Sequence, residues 1–157
     1  MSPSLKRFLT QYVVAVLSIA GGGFLVFGVL IPGCAERRET MLKRDACETV
    51  TRVQIQSFVA ALKSFETHCG RFPSSAEGLG ALIARPPDVP VERWHGPFLD
   101  ADEIPKDPWG HDYVYHCPGQ HGTNRFEVYS RGPDGISKTG GGDSDDLTSW
   151  PRPGVHQ

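Results

Sequence analysis

The chain has 157 residues, of which 39% are hydrophobic and 10% aromatic, and its 16 Lys and Arg against 18 Asp and Glu give a formal net charge of -2. This balance lacks the basic excess with which proteins bind nucleic acid, so no nucleic-acid partner is expected. The aromatic content can support a core, which excludes a disordered chain, and the length fits one compact domain with an appendage.

The first predicted element is an uncharged and largely apolar segment from Phe8 to Ile31. About 20 such residues cross a bilayer as a helix, and the segment is longer than the roughly 7–15 apolar residues of a cleavable signal peptide. We therefore predict a retained single-pass membrane anchor in residues 1–34 and a folded domain in residues 35–157. Pro32 and Gly33 are expected to mark the exit from the membrane helix.

Two features of this segment leave alternatives open. Basic residues after the anchor outnumber Lys6 and Arg7 before it, so the positive-inside rule taken literally places the domain in the cytoplasm. The short leading tail and the acidic residues mixed with the downstream charges favour the opposite orientation. In addition, the run that ends at Cys34 can be interpreted as a lipoprotein cleavage box, in which Cys34 is the lipidated first residue.

A long amphipathic helix is predicted for residues 35–69, because apolar residues recur there near helical spacing. Gly70 is a natural helix stop, and Pro73 prevents the helix from resuming. The apolar positions of this predicted stripe are Leu42, Ala46, Val50, Val53, Phe58, Leu62 and Phe65.

Short elements are predicted for the rest of the chain. In residues 70–110, Ser74 and Glu77 have the spacing of a capping box, which predicts a short helix followed by proline-rich loops. Residues 111–150 hold two runs rich in aromatic and β-branched residues, 112–117 and 125–130, and then a glycine-rich acidic loop; residues 151–157 are a tail. The two runs predict an antiparallel β-hairpin.

The four cysteines form no CxxC pair, which argues against a zinc knuckle or a thioredoxin-type centre. In an oxidising compartment one disulfide is expected, and Cys69 at a helix end with Cys117 at a strand end are the candidates. The alternative is that both are free, partly buried thiols.

The acidic loop carries Asp134, Asp143, Asp145 and Asp146 among many glycines. Calcium takes 6–8 oxygen ligands from carboxylates and carbonyls on such loops, and a cation would relieve the repulsion among these charges. Calcium is therefore the predicted ligand, with a solvated acidic loop as the alternative. The chain has no GxSxG, P-loop, GxGxxG or HExxH motif, so neither an enzyme nor a small-molecule substrate is expected.

An ordered series of motifs resembles the major pseudopilin family of bacterial type II secretion, also called general secretion pathway protein G. The resemblance runs from about Val50 to Trp150. Its motifs are Gly70-Arg71-Phe72-Pro73, Glu77-Gly78-Leu79, Ala81-Leu82, Pro105-Lys106-Asp107-Pro108-Trp109-Gly110, Tyr113-Val114-Tyr115, Pro118-Gly119, His121-Gly122, Ser130, Gly132-Pro133-Asp134-Gly135 and Asp145-Asp146-Leu147.

The resemblance implies an α+β, pilin-like fold, with a long N-terminal helix packed on a small antiparallel sheet and a C-terminal calcium loop. It assigns calcium ligands to Asp134 and Asp146. Ser144 stands where some members have Asp, so Asp145 or Asp143 would substitute, and the carbonyl of Arg131 is the expected backbone ligand.

The resemblance also implies a structural subunit of a type II secretion or related type IV pilus-like assembly. Such a subunit would sit in the bacterial inner membrane with its C-terminal domain in the periplasm, and its N-terminal helix would pack against other pseudopilins or copies of itself. The amino end departs from the family, because no Gly precedes Phe8 and Tyr12 replaces the glutamate that guides assembly. The alternative is an anchored or lipoprotein-type binding module that does not polymerise.

Overall fold

The computed structural model describes residues 27–121 and 125–151, with side chains described from residue 37 onward. Its elements in chain order are a long helix, a short 3₁₀ helix and three short strands. The chain divides into two compact units, Met1–Asp45 and Ala46–Gln157. The second unit contains the hydrophobic core, the 3₁₀ helix and the sheet.

The predicted amphipathic helix is α1, Phe27–Cys69. Phe58, Leu62 and Phe65 are fully buried, as predicted, but Val50 and Val53 are 57% and 66% exposed. The buried face continues instead toward the N-terminus through two residues outside the predicted stripe, Ile55 and Thr51. Residues four and three apart lie on one helical face, so the packed stripe is rotated from the one predicted.

The predicted anchor falls largely outside the described residues, since Phe8–Ile31 overlaps them only from Phe27. Within the described part of the chain, no helix combines the length and apolar character needed to cross a membrane. The prediction that a helix ends at Pro32 and Gly33 is wrong, because α1 continues through both residues. A proline removes one backbone hydrogen bond and can be accommodated in a continuing helix.

The end of α1 is fixed as the sequence indicated. Gly70 has a φ of 80°, and its N–H donates to the Glu66 carbonyl at 2.8 Å. The capping box also forms, since Ser74 N donates to Glu77 Oε2 at 2.6 Å and Glu77 N donates to Ser74 Oγ at 3.3 Å. The short predicted helix is the 3₁₀ helix Leu79–Leu82.

An ion-pair network holds the loop after α1. Arg71 donates to both oxygens of Glu77, at 2.8 and 2.7 Å, and also pairs with Asp88. The hydrogen bond from Arg71 lowers the pKa of Glu77 to about 2. This bidentate pair ties the helix end to the turn that precedes the 3₁₀ helix.

The predicted hairpin is confirmed, with β1 at Val114–His116 and β2 at Glu127–Ser130. A third strand, β3 at Leu147–Thr148, was not predicted and pairs antiparallel with β2. The sheet order is β1-β2-β3, and Val114 lies opposite Tyr129.

Aromatic contacts join α1 to the rest of the domain. The Phe58 ring lies 5.0 Å from Tyr113, just before β1, and the Phe65 ring lies 5.4 Å from Phe98 and 6.2 Å from Trp94. All are edge-to-face arrangements, the favourable geometry for aromatic pairs. The helix therefore packs over the small sheet and the proline-rich loops, which is the α+β arrangement expected.

Candidate functional site

The acidic loop connects β2 to β3, and the strand register brings its two ends together. Ser130 at its start pairs with Leu147 at its end. Close backbone approach requires glycine at position 132, where φ is 66° and a Cβ would lie 2.3 Å from the Asp145 carbonyl oxygen. The residues on either side of the loop are thus held next to each other by the sheet.

Asp146 is the central acidic residue of this loop and is fully buried. Its Oδ2 accepts hydrogen bonds from Ser137 Oγ at 2.7 Å and from Asp143 N at 2.9 Å. Among the described residues its Oδ1, also buried, has no hydrogen-bond partner. Burial raises the pKa of Asp146, and the charges of Asp143 and Asp145 act in the same direction. A buried carboxylate with one unsatisfied oxygen is costly unless a positive charge accompanies it.

Asp143 is brought close to Asp146 and has hydrogen-bond donors of its own. Lys138 N donates to its Oδ2 at 2.6 Å, and Thr139 Oγ1 donates to its Oδ1 at 2.9 Å. These hydrogen bonds lower the pKa of Asp143. The sequence did not indicate Ser137 and Thr139 as hydrogen-bond partners of these aspartates, because serine and threonine are common in loops and their spacing here is not that of a metal-binding motif.

Two further predicted ligands, the Asp134 side chain and the backbone carbonyl of Arg131, belong to exposed residues. Asp134 is exposed, and its Oδ1 accepts a hydrogen bond from Ile136 N at 2.8 Å, which closes a local turn. The side chain of Arg131 is exposed as well. Among the described side chains, no three His, Cys, Asp or Glu come together as a metal cluster.

A histidine clamp holds the acidic loop against the hairpin. His121 donates through its backbone N to Glu127 Oε1 at 2.6 Å, and its Nδ1 lies 3.0 Å from Oε2 of the same buried carboxylate. Its Nε2 lies 3.2 Å from the Thr139 carbonyl oxygen, and its ring stacks on Trp150 at 5.0 Å. The hydrogen bond with Glu127 raises the pKa of His121. These four residues come from separate stretches of the chain, so their sequence spacing did not reveal the clamp.

A buried aspartate supports the other side of the loop. Asp107 Oδ1 accepts hydrogen bonds from His111 N at 2.8 Å and Trp109 N at 3.1 Å, and Ser130 Oγ donates to Oδ2 at 2.6 Å. His111 Nδ1 in turn lies 3.0 Å from the Gly132 carbonyl oxygen. Asp107 therefore positions the start of the loop rather than acting as an exposed chemical group.

The structure does not contain the predicted disulfide. Cys69 and Cys117 are free thiols, as is Cys47. Cys69 Sγ donates to the Arg93 carbonyl at 3.7 Å, whereas Cys117 Sγ donates to the Arg125 carbonyl at 3.2 Å. The two sulfur atoms are therefore turned toward different backbone groups. The side chain of Cys34, the lipidation candidate, lies outside the described residues.

The domain combines a long helix with a three-stranded antiparallel sheet, and many hydrogen bonds hold the loop between the last two strands. This arrangement is that of a pilin-like domain. Residues 40–150 match the family model described as type II secretion system (T2SS), protein G. The chain belongs to this family, which confirms the resemblance found in the sequence.

Individual relatives agree with this assignment. A type II secretion system core protein G from Pectobacterium carotovorum is 31% identical over 145 residues, covering 92% of this chain and 84% of the relative. Another, from Pseudomonas aeruginosa, is 36% identical over 103 residues, covering 65% of this chain and 70% of the relative. The crystal structure of the major pseudopilin from the type 2 secretion system of enterohaemorrhagic Escherichia coli is similar, with a TM-score of 0.56 and 28% identity, covering 71% of this chain and 92% of that one.

Proposed function

We propose that the chain is a structural subunit of a type II secretion assembly and acts by packing against other pilin-like chains, copies of itself included. Membership of the protein G family is the observation that carries this proposal. The similar crystal structure is that of a major pseudopilin, and its resemblance extends over nearly all of that chain. The role is assembly, and catalysis is not part of it.

Exposed apolar side chains on α1 support the proposed packing. Val50 and Val53 are 57% and 66% exposed. Burying a Val side chain contributes roughly 1.5–3 kcal/mol. These residues would therefore favour a helix-to-helix contact with another subunit.

A charge placed on this surface tests the proposal. Val53→Arg is compared with Val91→Arg in the native host, because Val91 is 65% exposed but lies outside α1. We expect Val53→Arg to reduce secretion of the system's substrates and Val91→Arg to leave it at the wild-type level, with both variants folded by circular dichroism. Equal secretion by the two variants would contradict packing through this part of the helix.

We also propose that residues 1–34 anchor the chain in the bacterial inner membrane by a single span, with the C-terminal domain in the periplasm. The uncharged segment Phe8–Ile31 and the family membership support this location. Intact-mass spectrometry of protein extracted from its native membrane tests it. A full-length chain, with or without Met1, supports the retained anchor.

A second candidate function is an anchored binding module that keeps the pilin-like fold but does not polymerise. The observation that favours it is the amino end, where no Gly precedes Phe8 and Tyr12 stands in place of the family glutamate. The same mass measurement separates the two, because a chain that begins at lipidated Cys34 supports the binding module and contradicts the membrane-spanning anchor.

We further propose that the acidic loop holds calcium. Asp146 would be the central ligand, with Asp143, Asp145, Asp134 and the Arg131 carbonyl supplying further oxygen ligands. All of these groups are hard oxygen donors of the kind that calcium takes. The buried and unpartnered Oδ1 of Asp146 is the observation that fits a cation here. Bound calcium would supply positive charge, while this chain's residues orient the loop around it.

Calorimetric titration of the chelator-treated full chain with calcium tests the site. We expect saturable binding that Asp146→Asn weakens strongly. Heats that are absent, or that are the same in wild type and variant, would contradict a calcium site at Asp146.

A further inference from the structure

Two exposed histidines lie side by side at the C-terminal end of α1, far along the chain from the acidic loop. His68 is in the last turn of the helix, and His95 is in the loop that follows Trp94. Their ring centroids are 5.1 Å apart, with an angle of 40° between the ring planes. Neither residue was singled out by the sequence.

Each ring is oriented by one hydrogen bond to a backbone carbonyl. His68 Nδ1 lies 2.8 Å from the Ser64 carbonyl oxygen, and His95 Nδ1 lies 3.1 Å from that of Arg93. A carbonyl oxygen only accepts hydrogen bonds, so Nδ1 carries the proton in both rings. In the neutral imidazole the lone pair is then on Nε2. Histidines that bind metals usually have this arrangement, with one nitrogen donating to a carbonyl and the other facing the ion.

The separation of the rings matches that of two imidazoles on one ion. A zinc–nitrogen bond is about 2.0–2.1 Å, and a ring centroid lies roughly 1.1 Å behind its nitrogen, so each centroid is about 3.2 Å from the metal. Two such rings at a tetrahedral angle have centroids about 5 Å apart. The observed 5.1 Å agrees with this value. We propose that His68 and His95 form a two-histidine site for a divalent transition-metal ion of the zinc type.

The surroundings hold this pair in place without a metal. The Arg93 carbonyl that orients His95 also accepts the Cys69 thiol at 3.7 Å, which connects the loop to the last residue of α1. On the other side, the Phe98 ring lies 5.7 Å from His68 and packs on the core. Less reorganisation is then needed when an ion binds. The C-terminal end of a helix also carries partial negative charge, which favours a cation.

The ligand chemistry separates this site from the acidic loop. Imidazole nitrogen binds zinc, copper and nickel, whereas calcium takes oxygen ligands. No third His, Cys, Asp or Glu joins the pair within the described residues, so water would complete the coordination. Bound metal would cross-link the helix end to the loop containing His95 and stabilise the domain.

Zinc titration of the full chain in detergent tests the proposal. The protein carries no polyhistidine tag, and calcium is kept saturating throughout so that the acidic loop does not contribute. Isothermal calorimetry compares wild type with His68→Gln, His95→Gln and a control, His116→Gln, whose residue lies on β1. NMR of the histidine side chains in the wild-type protein reports which Nε2 atoms shift, and this measurement does not depend on any variant folding.

We expect one zinc ion per chain, with the His68 and His95 signals shifting together. Loss of either histidine should weaken zinc binding at least about tenfold. Removing an outer-shell partner of a metal ligand already weakens metal binding by about that factor, and these histidines would be the ligands themselves. His116→Gln should bind zinc like wild type. The proposal is overturned if either single variant keeps the wild-type affinity, or if the two histidine signals respond at different zinc concentrations.

Discussion

Replacing Asp146 by Asn should change stability in opposite ways with and without calcium. Asp146 is fully buried, and only Oδ2 has hydrogen-bond donors among the described residues. Asn keeps an acceptor oxygen for those donors and removes the buried charge. Without calcium the variant should therefore match or exceed the wild type in stability. Calcium at the proposed site, supplied at about 100 times its Kd, would stabilise the wild type by about 2.7 kcal/mol, and the variant should lose most of that gain.

The assay is thermal unfolding of the full chain, followed by circular dichroism, in excess calcium and in excess chelator. At about 4 °C per kcal/mol for a domain of this size, calcium should raise the wild-type Tm by roughly 10 °C. Asp112→Asn is the control, because the Asp112 side chain is 81% exposed and lies outside the loop. A wild-type Tm that is the same in calcium and in chelator, or an Asp146→Asn variant that keeps the full calcium-dependent rise in Tm, would contradict a calcium site at Asp146.

Three further outcomes follow from the domain. Because the raised pKa of His121 comes chiefly from Glu127, their stabilisation is complete below about pH 6.5 and is lost as pH rises through the raised value. Urea unfolding between roughly pH 6 and 8 should show this loss in wild type and not in His121→Gln. Glu77→Gln should cost about 1–3 kcal/mol at neutral pH, because it weakens the Arg71 pair. That cost should fade as pH drops from about 4.3, the ordinary Glu pKa, through about 2, the value in the fold, which chemical denaturation at acid pH can check. Phe58→Ala, at a fully buried position, should cost about 3–5 kcal/mol in the same assay, and a cost under 1 kcal/mol would contradict the packing described.

The local features of the fold were predictable from the sequence. The Ser74 and Glu77 capping box and the Gly70 helix stop depend on residues within a few positions of each other, and both are present. The hairpin was also predicted correctly, since aromatic and β-branched residues mark both strands. Such signals are carried by short stretches of chain and need no tertiary information.

Tertiary packing decided the features that the sequence did not indicate. The choice of Ile55 over Val53 as a core residue depends on which face of α1 meets the sheet, and both residues are apolar. The strand β3 has only two residues, too few for an alternating pattern, and exists through its pairing with β2. The sequence indicates the acidic loop by its run of Asp residues, but the burial of Asp146 could not be predicted from that run.

Photo-crosslinking in the native host tests most directly the claim that this chain works by packing against pilin-like partners. A photoreactive amino acid is placed at Val53 on α1 or, as the matched control, at Val91, which has nearly the same exposure. We expect crosslinks from position 53 to other pseudopilins or to a second copy of this chain, and none of these from position 91. Absence of pilin-like products at position 53, in cells where the secretion system is active, would contradict this claim.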